Sequence, residues 1–166
     1  MKVRDYAIKC HADTNHLYDG RPYFVHLAKV VGFAERFIHL VPPPVHVDIY
    51  DACWCHDLIE DTRQTYNDVK SKTSLMVAEI VYALTNEKGK NRKERANDKY
   101  YKGIRETPYA VFVKVCDRLA NFQYSIDSQS SMAKKYKQEN DEFIKNLFVP
   151  DYQEMFDMLI SMKDKV

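Results

Sequence analysis

Along most of the chain the apolar positions recur at helical spacing. Between about Tyr6 and His16, the residues Ala7, Ile8, His11 and Ala12 share one helical face. Asp19-Gly20 breaks this segment, and Arg21-Pro22-Tyr23 restarts the chain. From Tyr23 to about Leu40, Phe24, Leu27, Val30, Val31, Ala34, Phe37 and Ile38 return with the helical period, and Pro42-Pro43-Pro44 ends the helix. The pattern predicts a third helix over about Val47–Glu60 and a fourth from Asp68 to about Leu84. A polar stretch, Asn86 to Arg95, precedes a shorter helix around Ala96–Ile104, which ends before Thr107-Pro108. Tyr109–Tyr124 reads two ways. Val111, Val113 and Val115 alternate as in a strand, whereas Val111, Val115, Leu119 and Phe122, over about sixteen residues, favour a helix. Two further helices are expected around Ser131–Leu147 and Pro150–Met162. The sum is an all-α fold, a single compact helical bundle over residues 1–166.

Composition narrows the function classes. A chain of 166 residues has the size of one domain and can bury a sizeable core. With 45% hydrophobic and 30% charged residues, wholesale disorder is excluded. Lys+Arg number 25 and Asp+Glu 24, a net charge of +1, so no bulk field draws the chain to nucleic acid or to a membrane surface. No apolar run is long enough to span a bilayer, and the charged start Met1–Asp5 carries no apolar signal region. Cys53 and Cys55 have a C-x-C spacing that is neither a zinc knuckle nor a redox motif. With Cys116 they lie in apolar segments and read as reduced structural thiols, which points to the cytoplasm.

The densest chemistry lies in Cys55-His56-Asp57-Leu58-Ile59-Glu60-Asp61-Thr62. On a helix His56 and Glu60 lie one turn apart, as do Asp57 and Asp61. Three carboxylates and an imidazole that close together repel, and a divalent cation would relieve the repulsion and supply a Lewis acid. The plainer alternative is an acidic helix end, which works against the helix dipole. His26 is either a core histidine or a ligand. Asp117, in an apolar segment, needs a partner, either Arg118, Lys114 or a metal. Spacing alone leaves these choices open.

The ordered set His26 … His56-Asp57 … Asp117 resembles the H…HD…D pattern of the HD-domain metal-dependent phosphohydrolases. Three stretches are similar to the hydrolase domain of alarmone synthetase/hydrolases and the small alarmone hydrolases. They are Asp19–His26, Cys55–Thr62 and Val113–Asn121, and the likeness covers roughly Tyr6 to Tyr124. The resemblance implies an all-α fold and one divalent ion, usually Mn²⁺, with His26, His56, Asp57 and Asp117 as ligands. Glu60 and Asp61 match the acidic pair that orients or deprotonates the attacking water. Asn121 matches a nucleotide contact. The implied reaction is hydrolysis of the 3′-pyrophosphate of guanosine tetra- or pentaphosphate.

So anionic a substrate calls for cations, and Arg21, Lys88, Lys90, Arg92, Lys93 and Arg95 are candidates, each otherwise a solvated surface residue. If Tyr109–Tyr124 is helical, Lys114, Asp117, Asn121 and Tyr124 share a stripe, and Tyr124 is a candidate for stacking on a base. Two departures from the family pattern stand out. Leu27 follows the first metal His where many relatives have Pro, and Asn15-His16-Leu17-Tyr18 replaces a basic pair that helps hold the guanine nucleotide. The second departure motivates one rival, an HD-type nucleotidase or phosphatase for another nucleotide or phosphorylated cofactor; a non-catalytic nucleotide-binding module is the other alternative, against which the intact Glu60-Asp61 pair argues.

Overall fold

The computed structural model describes residues 1–166. The chain is built from helices α1 (Val3–Asp13), α2 (Phe24–Phe37), α3 (His46–Cys55), α4 (Leu58–Asp61), α5 (Tyr66–Lys72), α6 (Leu75–Leu84), α7 (Arg92–Arg95), α8 (Asp98–Glu106), α9 (Ala110–Asp127), α10 (Met132–Leu147) and α11 (Gln153–Lys163). The only sheet is a two-residue ribbon between α1 and α2, Leu17–Tyr18 (β1) against Arg21–Pro22 (β2). Its turn residues Asp19 and Gly20 both have positive φ, 50° and 73°. That backbone closes a tight hairpin with the twist of the flanking strands, and Asp-Gly is suited to it. The Asp19-Gly20 break is thus a turn that aims Tyr18 back across the protein.

Helix α9 occupies the centre. It packs against α2, α3, α6, α8, α10 and α11, and twelve of its eighteen residues are buried. The alternating valines of this segment are explained by that position: a helix covered on most sides needs apolar residues all round, which mimics a strand pattern. Phe112, Leu119 and Phe122 of α9 are fully enclosed and join Leu27, Ile49, Leu58, Ile80, Phe143 and Phe156 in one hydrophobic cluster. Burying each such side chain contributes about 1.5–3 kcal/mol. No helix is long and apolar enough to cross a membrane. All four cysteines are buried and unpaired.

Two expected helices prove to be broken. The segment Asp68–Leu84 divides at Thr73-Ser74. The Thr65 side chain and Asp68 form a reciprocal capping box at the start of α5, and Ser74, in extended conformation, caps α6 through the Val77 N–H. The apolar period continues across Ser74, but the hydroxyl offers the backbone a new helix start. The segment Val47–Glu60 divides at His56-Asp57, where α3 ends and the one-turn α4 begins.

Candidate active site

His26 lies in the first turn of α2, His56 and Asp57 in the joint between α3 and α4, Glu60 and Asp61 in α4, and Asp117 in the middle of α9. These elements meet, and four side-chain atoms converge. His26 Nε2 lies 3.0 Å from Asp117 Oδ1, and His56 Nε2 lies 2.9 Å from Asp57 Oδ2. Three further separations are 3.4 Å between the two Nε2 atoms, 3.4 Å from His56 to Asp117 and 3.8 Å from His26 to Asp57. Donors held about 2.1 Å from one ion sit roughly 3 Å from one another. Two imidazole nitrogens and two carboxylate oxygens also suit a divalent first-row cation. By spacing and by donor chemistry the residues fit such an ion.

The surrounding bonds orient this set. His56 Nδ1 donates to the Cys53 carbonyl oxygen over 2.8 Å, which leaves Nε2 as the lone-pair nitrogen of the neutral ring. Tyr23 donates its hydroxyl to Asp57 Oδ2 at 2.6 Å. Asp117 divides its oxygens: Oδ1 faces the histidines and accepts from Asn121 Nδ2 at 2.9 Å, while Oδ2 accepts from Lys114 Nζ at 2.8 Å. Tyr18, carried in by the hairpin, donates to Asn121 Oδ1 at 2.8 Å and stacks on His26 with ring centroids 4.8 Å apart. His26 Nδ1 is buried with no partner.

Electrostatics follow from this crowding. Burial works against charge on His56, but Asp57 and Asp117 outweigh it and hold the imidazole well above its ordinary pKa. Burial likewise opposes ionisation of Asp117, yet Lys114 and the two histidines hold it well below the carboxylate range. Asp57 is lowered too, by His56 against its own burial. The acidic pair moves the other way. Burial and the negative Asp57 raise Glu60, which accepts the Asn86 N–H at 2.8 Å. Burial, Asp57 and Glu60 push Asp61 up to about 7. Oxygens of Asp57, Glu60 and Asp61 all lie within 4.8 Å of one another, so the acidic pair directly adjoins the four-atom cluster.

The cluster opens into a cavity of about 420 Å³. Its acidic end is walled by His56, Asp57, Glu60, Asp61 and Asp117. At its basic end stand Arg92, Lys93 and Arg95 of α7 and Arg118 of α9, faced by Tyr136, Glu139 and Glu142 of α10. Among the substrate candidates, Asn121 and Arg92 are on the wall. Arg21, Lys88, Lys90 and Tyr124 are not: Arg21 is exposed on the hairpin, and Tyr124 donates to Asp19 Oδ2 at 2.6 Å outside the cavity. Asp117 takes Lys114 as its ion partner. Its neighbour Arg118 turns away, because successive helix positions point about 100° apart, and reaches Glu139 at 3.0 Å.

Sequence reasoning missed Tyr18, Tyr23, Tyr136 and Glu139. Tyr18 is brought in by a two-residue hairpin, and the α10 residues belong to a helix with no recognisable motif. The one available signal was the excess of polar residues on an otherwise amphipathic α10. A histidine pair behind the site also went unread: His11 Nδ1 and His16 Nδ1 lie 3.0 Å apart beside Tyr23, and burial pushes His11 down to about 4.

No family model matches the chain. A curated relative does: guanosine-3′,5′-bis(diphosphate) 3′-pyrophosphohydrolase MESH1 of Danio rerio is 28% identical over 124 residues, spanning 74% of this chain and 67% of that protein. Among solved structures, that of a metazoan ortholog of SpoT, described as hydrolysing ppGpp and playing a role in starvation responses, superimposes with a TM-score of 0.74. It covers 99% of this chain and 94% of its own at 17% identity, which speaks for the fold. Sequence likeness over most of the chain and a shared fold over nearly all of it point the same way: the chain is similar in sequence to a guanosine-3′,5′-bis(diphosphate) 3′-pyrophosphohydrolase and shares its fold with a second protein described as hydrolysing ppGpp.

Proposed function

We propose that the protein is a metal-dependent phosphohydrolase of phosphorylated nucleotides that removes the 3′-pyrophosphate from guanosine tetra- or pentaphosphate. This reading takes residues 1–166 as one HD-type domain acting in the cytoplasm. One observation carries it: four donor atoms from three separate regions of the chain converge, with the histidine nitrogens 2.9 to 3.8 Å from each other and from the Asp57 and Asp117 oxygens, and two further carboxylates lie directly beside them. His26, His56, Asp57 and Asp117 would hold one divalent ion, for which Mn²⁺ is suited. Bound there, the ion supplies Lewis acidity and lowers the pKa of water.

The chain's own residues supply the rest. Glu60 and Asp61 orient the attacking water and take its proton. The water oxygen joins the phosphorus next to the ribose, the bond from that phosphorus to the 3′ oxygen breaks, and pyrophosphate departs as the 3′ oxygen regains a proton. Lys114, tied to Asp117, meets the negative charge that develops on the phosphoryl oxygens. Asn121, held by Tyr18 and Asp117, contacts the nucleotide. Arg92, Lys93 and Arg95 offer charge to its remaining phosphates. Arg21, Lys88, Lys90 and Tyr124 are outside the proposed contact set. The relative's own activity, as its name gives it, supports this choice of substrate.

A second reading has its own observation. His16 stacks on Tyr23 at 4.0 Å in the region where relatives carry a basic pair, which favours a less anionic nucleotide. Purified protein should be assayed for bound metal and tested on guanosine tetraphosphate and on mononucleotides, with Mn²⁺ and with chelator, measuring phosphate and pyrophosphate separately. Metal-dependent release of pyrophosphate from guanosine tetraphosphate is expected. Orthophosphate from mononucleotides alone establishes the second reading. Tight alarmone binding with no turnover under several metals makes the protein a binding module.

A further inference from the structure

The basic end of the cavity contains an arrangement that the reaction does not explain. Glu139 of α10 is gripped by two guanidinium groups. Arg92 binds it through both forks, Nε to Oε1 and Nη2 to Oε2, each at 3.0 Å. Arg118 adds Nη1 to Oε2, also at 3.0 Å. Arg118 is only 8% exposed. Its guanidinium lies 4.4 Å from the Phe143 ring centroid and 4.9 Å from that of Tyr136, and Arg92 lies 5.5 Å from Tyr136. The two cations are thus held by aromatic faces as well as by the carboxylate.

A phosphoryl group offers a guanidinium the same pair of acceptor oxygens as a carboxylate, with one more oxygen and more charge. Two arginines converging on one such group inside a cavity make a phosphate clamp, here closed on a side chain. The surplus of charge points the same way. Four cations, Arg92, Lys93, Arg95 and Arg118, stand against two carboxylates, Glu139 and Glu142, and neither Lys93 nor Arg95 forms an ion pair. Arg118 makes one hydrogen bond from five N–H donors. The same cavity is also lined by a separate acidic group, Asp57, Glu60, Asp61 and Asp117. A bipolar cavity of this kind fits a molecule with two separated anionic groups, one at each end.

We propose that Arg92 and Arg118 form a second anion subsite for the 5′-diphosphate of the nucleotide, and that Glu139 is an internal ligand which this diphosphate displaces. The proposal rests on the phosphohydrolase reading for its substrate, but its test does not depend on turnover. In the occupied state the 5′-diphosphate lies on Arg92 and Arg118, and Glu139 swings toward solvent at the cavity mouth. The exchange favours nucleotides phosphorylated at both ends, because only the second phosphoryl group offsets the cost of releasing Glu139.

The experiment measures GDP binding by titration calorimetry with chelator present, since GDP has a 5′-diphosphate and no 3′ group to cut. Glu139→Gln removes the competing charge and should bind GDP at least about fivefold tighter than the unaltered protein. Arg92→Gln should bind it about tenfold more weakly. Thermal melting of each variant reports whether the fold is kept. Equal or weaker GDP binding by folded Glu139→Gln overturns the proposal. Should Glu139→Gln not fold, Arg92→Gln decides: unchanged GDP binding overturns the subsite, and a tenfold loss supports it. Absence of metal-dependent pyrophosphate release from guanosine tetraphosphate by the unaltered protein, beside tighter GDP binding in Glu139→Gln, would count against the enzyme reading and leave the subsite standing.

Discussion

Asp117 and Arg118 are neighbours on α9, yet they serve opposite ends of one cavity that are built on different principles. At the acidic end His26, His56 and Asp117 are buried and Asp57 is half-buried, with Glu60 toward the open cavity, and Cys53, Tyr23, Lys114 and Asn121 pin the atoms that face one another. At the basic end Arg92 sits on the one-turn α7, and its side chain, like that of Glu139, is about a third or more exposed. Burial magnifies electrostatics in the first place, and water damps it in the second. One end is preorganised for chemistry and the other can exchange partners. Arg118, buried but aimed at Glu139, is the hinge between them.

The largest losses are expected at the acidic end. His56→Ala or Asp57→Ala should abolish metal binding and lower kcat by at least about a thousandfold, measured as metal content and steady-state rate. Glu60→Gln should keep the metal and still lose about 10²–10⁴ in kcat, because it removes a proton acceptor and leaves the four-atom cluster. Metal loss in Glu60→Gln would make Glu60 a ligand. Tyr23→Phe leaves Asp57 without its 2.6 Å donor and should weaken metal affinity about 10- to 100-fold in a competition titration, with little change in melting temperature.

Stability should separate the two arginines. Arg118→Ala deletes a buried guanidinium and its aromatic packing and should cost about 2 kcal/mol in denaturant unfolding. Arg92→Ala should cost less than about 1 kcal/mol. Equal costs would erase the distinction between the ends.

The smallest effect is in acid. Burial raises Glu139, but Arg92 and Arg118 outweigh it and hold its pKa below the ordinary value. A carboxyl lowered in the folded state stabilises above its unfolded pKa of about 4.3 and loses that contribution as pH falls through the folded value. Melting temperature should therefore drop below about pH 4.3 more steeply in the unaltered protein than in Glu139→Gln.

The apolar period alone located most helices, because burial of a stripe leaves a repeat that survives in the sequence. It joined α5 to α6 and α3 to α4, since caps at Ser74 and the joint at His56-Asp57 interrupt the backbone without interrupting the apolar pattern. Residue types likewise marked His26, His56, Asp57, Glu60, Asp61 and Asp117 as chemically loaded. What periodicity could not say was that side-chain atoms of α2, of α9 and of the joint before α4 converge, with the acids of α4 beside them. Nor could it say that Asp117 takes Lys114 while Arg118 takes Glu139. Those outcomes depend on helix rotation and crossing, set by packing around α9, and packing is a property of distant residues together. The basic end was the least legible part: α10 carries no motif, and Glu139 acquires meaning only from the two arginines that tertiary structure brings to it.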